Sequence, residues 1–366
     1  MSGLYVHIPF CAKKCAYCDF VSYGGRERFL PLYLSRLKEE AASFAGAAFD
    51  TVFIGGGTPS LLSAEEITDL MAFLRRTFMF RQDAEITIEA NPASVTKAKV
   101  EAWKTAGINR VSMGAQALSD EVLSSIGRCH TLAQLEEAIS LVKAEGFDSF
   151  NLDLICALPG QTLSAWQKTL DDVCRYAPDH ISCYSLILEG STPMAKAYAA
   201  GKIVLPSEEE ERAMVHLAEK TLAERGYTQY EISNFARPGK ECRHNINYWE
   251  CGEYLGLGCA AHSYWQGERY HNVNGLDAYL AGALREDAEM PDASAQREER
   301  LMLGLRMNRG MDVLRFNRDF GCDFAAEYAK PLRRNLDRGL IGFDGAHLFL
   351  TPRGRDFCDT VVLDFM

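Results

Sequence analysis

The chain has no run of ~18 uninterrupted apolar residues, the length a membrane-spanning helix needs, so no span is expected. It has no basic stretch ahead of its first apolar segment, and that segment, within Met1–Phe10, is interrupted by His7 and Pro9. A secretory signal peptide is therefore not expected. Positive charge is in short supply. The 39 Lys and Arg face 50 Asp and Glu, a net charge of −11, and general affinity for nucleic acid is not expected. A regular cysteine framework is also missing. The 12 cysteines are scattered along 366 residues, which suits a reducing compartment where thiols stay free. These absences point to the cytoplasm. The remaining composition, 47% hydrophobic and 24% charged, is that of a globular protein with room for two or three domains.

Against this background one cluster stands out. Cys11, Cys15 and Cys18 follow a C-x3-C-x2-C spacing. A loop this tight can converge three thiolates on one cubic iron–sulfur cluster. No fourth cysteine follows at a comparable distance, so one of the four irons would lack a protein thiolate and stay open to an exogenous ligand. Zinc sites usually take four ligands in paired knuckles, and disulfide frameworks belong to short secreted chains; neither fits this pattern.

From residue 4 to about 232 a short apolar strand, a loop and an amphipathic helix alternate. Strands are expected at Leu4–Ile8, Thr51–Ile54, Glu85–Glu89, Arg110–Gly114, Phe150–Ile155 and His180–Leu188. Helices are expected at Arg28–Phe44, Glu65–Thr77, Lys97–Ala106, Thr131–Glu145 and Leu163–Tyr176, with Ser63 and Glu66 forming a capping box. This alternation predicts an α/β fold, a partial (β/α)6 TIM-like barrel, with chemistry at the carboxyl ends of its strands. The cysteine loop follows the first strand and obeys that rule. Residues 233–290, rich in glycine and aromatics, are expected to extend or close the barrel, and the polar stretch Glu286–Gln296 to act as a linker. Residues 291–366 read as a separate α+β winged-helix-like module. DNA contact is not expected of it, because residues 297–366 hold twelve Lys and Arg against eleven Asp and Glu.

The segment Tyr5-Val-His-Ile-Pro-Phe-Cys11 leading into the three cysteines resembles the radical S-adenosylmethionine (SAM) superfamily. It is similar in particular to the branch that contains oxygen-independent coproporphyrinogen III oxidase and the HemW-type heme chaperones. The resemblance covers nearly the whole chain. It implies a [4Fe-4S] cluster on Cys11, Cys15 and Cys18 whose open iron binds SAM, with an electron from the cluster able to cleave the sulfonium. It also implies SAM contacts from Tyr5, Tyr17, Gly57, Thr58, Glu89, Gln116, Arg128 and Asp153, and more loosely from Ser185 and His262.

The residue types suit those roles. Gly55-Gly56-Gly57-Thr58-Pro59 would let backbone approach a ligand closely, although a glycine run alone marks only a turn. Glu89 offers a carboxylate to an ammonium or to ribose hydroxyls. Asp153, inside an apolar strand, needs a partner, either a ligand or a structural one. Arg128 presents a fork of donors for a carboxylate, unless it is a surface arginine.

Two features bear on the choice within the branch. Cys18 is followed by Asp19-Phe20, where the oxidases typically carry a further cysteine. His244-Asn-Ile-Asn-Tyr-Trp249 matches the H-N-x-x-Y-W signature of the heme-binding branch, which implies His244 as a heme ligand; the alternative is a packed aromatic corner. The first strand begins at Leu4, which leaves little chain to cover the site as the oxidases' extension does. The expected function is a heme chaperone that passes heme to an acceptor protein. The alternative is SAM-dependent decarboxylation of coproporphyrinogen III.

Overall fold

The computed structural model describes residues 1–366. One mixed sheet of twelve strands dominates it. In chain order these are β1 (Ser2–Ile8), β2 (Ala48–Gly56), β3 (Met79–Ala90), β4 (Arg110–Gln116), β5 (Ser149–Cys156), β6 (His180–Ser185), β7 (Thr228–Glu231), β8 (Asn234–Ala236), β9 (Glu253–Leu257), β10 (His262–Trp265), β11 (Glu268–Asn272) and β12 (Arg285–Glu289). Across the sheet the order is β12-β11-β10-β9-β1-β2-β3-β4-β5-β6-β8-β7. The central run from β9 to β6 is parallel throughout, and antiparallel strands extend both edges. Strands β1 to β6 and their helices make the expected partial barrel.

The sequence patterns explain these elements. Leu4, Val6, Ile8, Val52, Ile54 and Ile88 are fully buried, as parallel strands covered on both faces require. Helix Ala64–Thr77 begins at the capping box, where Ser63 Oγ accepts from the Glu66 amide (3.1 Å) and Glu66 Oε2 from the Ser63 amide (2.8 Å). It buries Ile67, Leu70, Met71 and Leu74, one stripe at helical spacing.

Two expectations need correction. The strand expected over His180–Leu188 ends at Ser185, and residues 186–188 leave the sheet as a loop. The stretch Glu286–Gln296 is no linker. It opens with edge strand β12, paired to β11, and continues into helix Ala293–Gly304, capped by Asp292. Every residue of β12 is exposed, so its composition is that of a polar edge.

The last part of the chain has its own core around Leu301, Phe316, Phe324, Leu348 and Phe365. Helix Ala293–Gly304, strand β13 (Met311–Asp312), helices Val313–Phe320 and Ala329–Asp337, and hairpin β14 (Ile341–Phe343) and β15 (His347–Leu350) follow in winged-helix-like order. This module docks at the amino-terminal ends of the barrel strands, where Met307 and Asn308 share a groove with Glu85, Arg110 and Ser149. The carboxyl ends are left open.

Candidate cluster and ligand-binding site

The cysteine loop is tied down before any ligand arrives. Phe10–Cys11 pairs with Tyr23–Gly24, the Tyr23 amide donates to the Pro9 carbonyl (2.7 Å), and the Ala16 amide donates to the Ile126 carbonyl (3.1 Å). His7 Nε2 lies 2.9 Å from the Val21 carbonyl. Cys11, Cys15 and Cys18 all line one mostly polar pocket of about 340 Å³. Thr58 Oγ1 donates to Cys11 Sγ (3.4 Å), and Arg128 Nη1 donates to Cys15 Sγ (3.8 Å). Burial pushes the Cys18 thiol up. Nowhere do three His, Cys, Asp or Glu side chains converge closely enough to grip a single ion.

The glycine turn at the end of β2 fills the gap beside the loop. A Cβ on Gly57 would stand 2.7 Å from the Phe10 carbonyl oxygen, so only glycine allows this approach. Gly56 has φ +113°, and its amide donates to Glu89 Oε2 (3.0 Å). Burial first, and then Asp153, push the Glu89 carboxyl up to about 8. Burial also raises Asp153, which accepts from Asn151 Nδ2 (2.7 Å). Two carboxyls held above their ordinary range in one pocket provide for a cation or hydroxyl donors. Arg128 is not a surface residue. Burial works against its charge, but Tyr17 and Cys15 outweigh it, and Nη2 donates to the Gly114 carbonyl (2.5 Å). Gln116 is buried at φ +64° with Oε1 accepting from Tyr184 (3.4 Å).

Five of the proposed SAM residues, Gly57, Thr58, Gln116, Arg128 and Asp153, line this polar pocket alone, while Tyr17 and Glu89 also face a second cavity next to it. Tyr5, Ser185 and His262 face only that second cavity. It is larger, about 680 Å³, and mostly apolar, with Phe20, Leu186, Ile187, Tyr184, Tyr248 and Tyr254 in its walls. Phe20 and Ile187 are each 71% exposed. Sequence reasoning missed this cavity. The apolar residues 186–187 read as a continuation of β6, and only Phe20 in place of a cysteine hinted at it.

His244, expected as a heme ligand, sits in a buried, hydrogen-bonded setting. Helix Arg243–Trp249 lies inside the barrel, its first amides held by Glu85 (3.1 and 3.0 Å). His244 is 1% exposed, with Nδ1 2.8 Å from Thr51 Oγ1 and Nε2 2.9 Å from the Tyr248 hydroxyl. It stacks on Phe53, and burial lowers its pKa to about 3. Both nitrogens are engaged beneath the cavity floor. The segment reaches the open surfaces elsewhere: Asn245 lines the polar pocket and Tyr248 the apolar one.

A cysteine loop after the first strand of a parallel partial barrel, faced by a glycine turn after the second, defines a radical SAM protein. Residues 5–173 match the radical SAM superfamily, and residues 292–357 match the HemN C-terminal domain. The protein named heme chaperone HemW of Lactococcus lactis is 34% identical over 100% of this chain and 97% of its own. That of Bacillus subtilis is 34% identical over 97% and 96%. The solved coproporphyrinogen III oxidase (HemN) of Escherichia coli superposes with a TM-score of 0.87 at 27% identity, covering 100% of this chain and 89% of that one. The chain belongs to the HemW family of radical SAM proteins.

Proposed function

We propose that the protein is a heme chaperone: it takes up heme in the apolar cavity at the carboxyl ends of the barrel strands and passes it to an acceptor protein. Cys11, Cys15 and Cys18 would hold a [4Fe-4S] cluster in the polar pocket. Gly57, Thr58, Glu89, Gln116, Arg128 and Asp153 would surround SAM there, with Tyr17 between the two sites. When bound, such a cluster supplies an open iron for chelation and a low-potential electron. The chain's own part is to orient and to desolvate. Arg128 offers its fork to a carboxylate, and the Glu89 and Asp153 carboxyls accept from an ammonium or from hydroxyls. In this reading residues 1–232 carry the cofactors, 233–290 plug and extend the barrel, and 291–366 leave the cargo face free.

The observation that carries the reading is the cavity itself. It is large, open and apolar, and it lies next to the cofactor pocket with Phe20 and Ile187 exposed at its walls. An exposed apolar wall of this kind is what a flat macrocycle buries on binding. No helix is long and apolar enough to cross a membrane. Anaerobic protein with its cluster restored should develop a Soret band on titration with hemin. Conversion of coproporphyrinogen III to protoporphyrinogen IX by the reduced protein with SAM would favour instead an oxidase, the activity named for the superposed HemN.

A further inference from the structure

Two histidines line the apolar cavity, His7 and His262. Both nitrogens of His7 are occupied, Nδ1 by the Tyr5 hydroxyl and Nε2 by the Val21 carbonyl, each at 2.9 Å. His262 differs. It is exposed, and no hydrogen bond engages its ring. An imidazole with no hydrogen-bond partner has a lone pair available. Several of the cavity's oxygen and sulfur donors are already committed elsewhere or held protonated. Cys18 belongs to the cluster loop, Tyr5 and Tyr248 bond to histidines, and burial raises the Tyr184 hydroxyl.

The backbone holds His262 firmly. It opens β10 directly after the turn Gly258-Cys-Ala-Ala261, in which Ala260 adopts φ +62°. The Ala261 amide donates to the Gly258 carbonyl (3.1 Å), and the Asn272 amide to the Ala261 carbonyl (2.9 Å). Behind the turn Glu40, 3% exposed, accepts from the Gly258 amide (3.0 Å), Asn272 Nδ2 (2.6 Å) and the Tyr279 hydroxyl (2.6 Å). The His271 ring packs against His262 at 5.0 Å and is itself anchored to the Asn272 carbonyl (2.9 Å) and Asp287 (3.2 Å). A left-handed alanine and a buried, fully bonded carboxyl fix one imidazole over an apolar cavity.

We propose that His262 is the axial ligand to the iron of heme seated in this cavity; this rests on the chaperone reading above. One ring nitrogen donates its lone pair to iron in place of a solvent ligand, with no change of oxidation state. The place of His262 among SAM contacts is thereby given up.

The test titrates full-length, cluster-reconstituted protein with hemin anaerobically. Wild type should show a shifted Soret band. His262→Ala should lose it and bind hemin about tenfold or more weaker, as loss of a metal ligand implies. Far-UV circular dichroism and the iron and sulfide of the cluster should be unchanged, and added imidazole should restore the band. His262→Gln serves if the alanine variant does not fold. A folded His262 variant that keeps both band and affinity overturns the inference, as does loss of the band in a folded His244→Ala alone. Wild type that binds no hemin removes the chaperone reading itself.

Discussion

The two cavities at the carboxyl end of the barrel share Tyr17, Cys18, Phe20, Gly56, Glu89 and Tyr184, yet they are built on opposite principles. The smaller is polar and pre-bonded. Its cysteine loop, glycine turn and carboxyls are fixed by backbone hydrogen bonds, and at Gly57 by a contact that admits no Cβ. The larger is apolar and drawn from separate strands, a helix and loops, with side chains at its walls that no neighbour covers. A resident cofactor favours the first design, because preorganisation lowers the cost of holding it. A cargo that must leave favours the second. The apolar wall rewards occupancy mainly through area, leaving few directional bonds to break on release.

The sharpest way to separate the two is to destroy one. Cys15→Ala should abolish the cluster, since two thiolates cannot hold the cubane, while the apolar cavity persists. Iron and sulfide analysis should fall to background with hemin binding largely retained. An unchanged brown chromophore would defeat the assignment of the cluster. The reverse change, Ile187→Glu, sets a charge in the apolar wall and repels the heme propionates. Hemin affinity should fall about tenfold, roughly 1.4 kcal/mol, while cluster content stays the same. Equal loss of both would mean that the cavities are one site.

The same contrast governs what could be read from the sequence. The polar pocket was largely legible, because its parts are local spacings at strand ends: three cysteines within eight residues, a glycine run, an acid after a strand. The parallel strands were legible for the same reason, being short apolar runs bounded by turns. The apolar cavity was not. Phe20, Ile187, Tyr248 and His262 lie far apart in the chain, and an apolar residue in a cavity wall has the same signature as one in a core. Residues 186–188 illustrate this, having read as strand. Strand β12 escaped for the opposite reason, since an exposed edge carries no apolar period. Helix Val313–Phe320 is not among the expected elements either; it is short, and only Val313 and Phe316 in it are buried. The buried setting of His244 was not legible, because a family signature names a residue without its surroundings.

A subtler test lies on the shared wall. Glu89 is pushed up to about 8 by burial and Asp153. Between the ordinary glutamate value and that figure the folded protein binds more protons than the unfolded one. The contribution of Glu89 to the stability of the SAM-free protein should therefore fall as pH rises across this window. Glu89→Gln should remove that contribution, matching wild type near pH 5 and exceeding it in melting temperature near pH 8. Binding of the SAM cation should run the other way in wild type, strengthening as pH rises and Glu89 ionises. Calorimetric titration of reconstituted protein at several pH values should show that slope, and its flattening in Glu89→Gln. A difference in melting temperature between wild type and Glu89→Gln that stays constant from pH 5 to 8 would mean that the carboxyl is not held neutral.

The smallest expected effect separates the floor of the apolar cavity from what lies beneath it. Tyr248 presents its ring to the cavity and its hydroxyl to His244 Nε2 (2.9 Å). Tyr248→Phe keeps the ring and removes only the hydroxyl, leaving one nitrogen of a buried imidazole without a partner. The cost should be about 1 to 3 kcal/mol of stability, as for a single unsatisfied buried polar group, read as a lower denaturant midpoint. Hemin affinity and the Soret position should not move. If they do, the His244–Tyr248 pair acts on the cargo through the floor, and the division between a sealed support and an open binding surface fails at that ring.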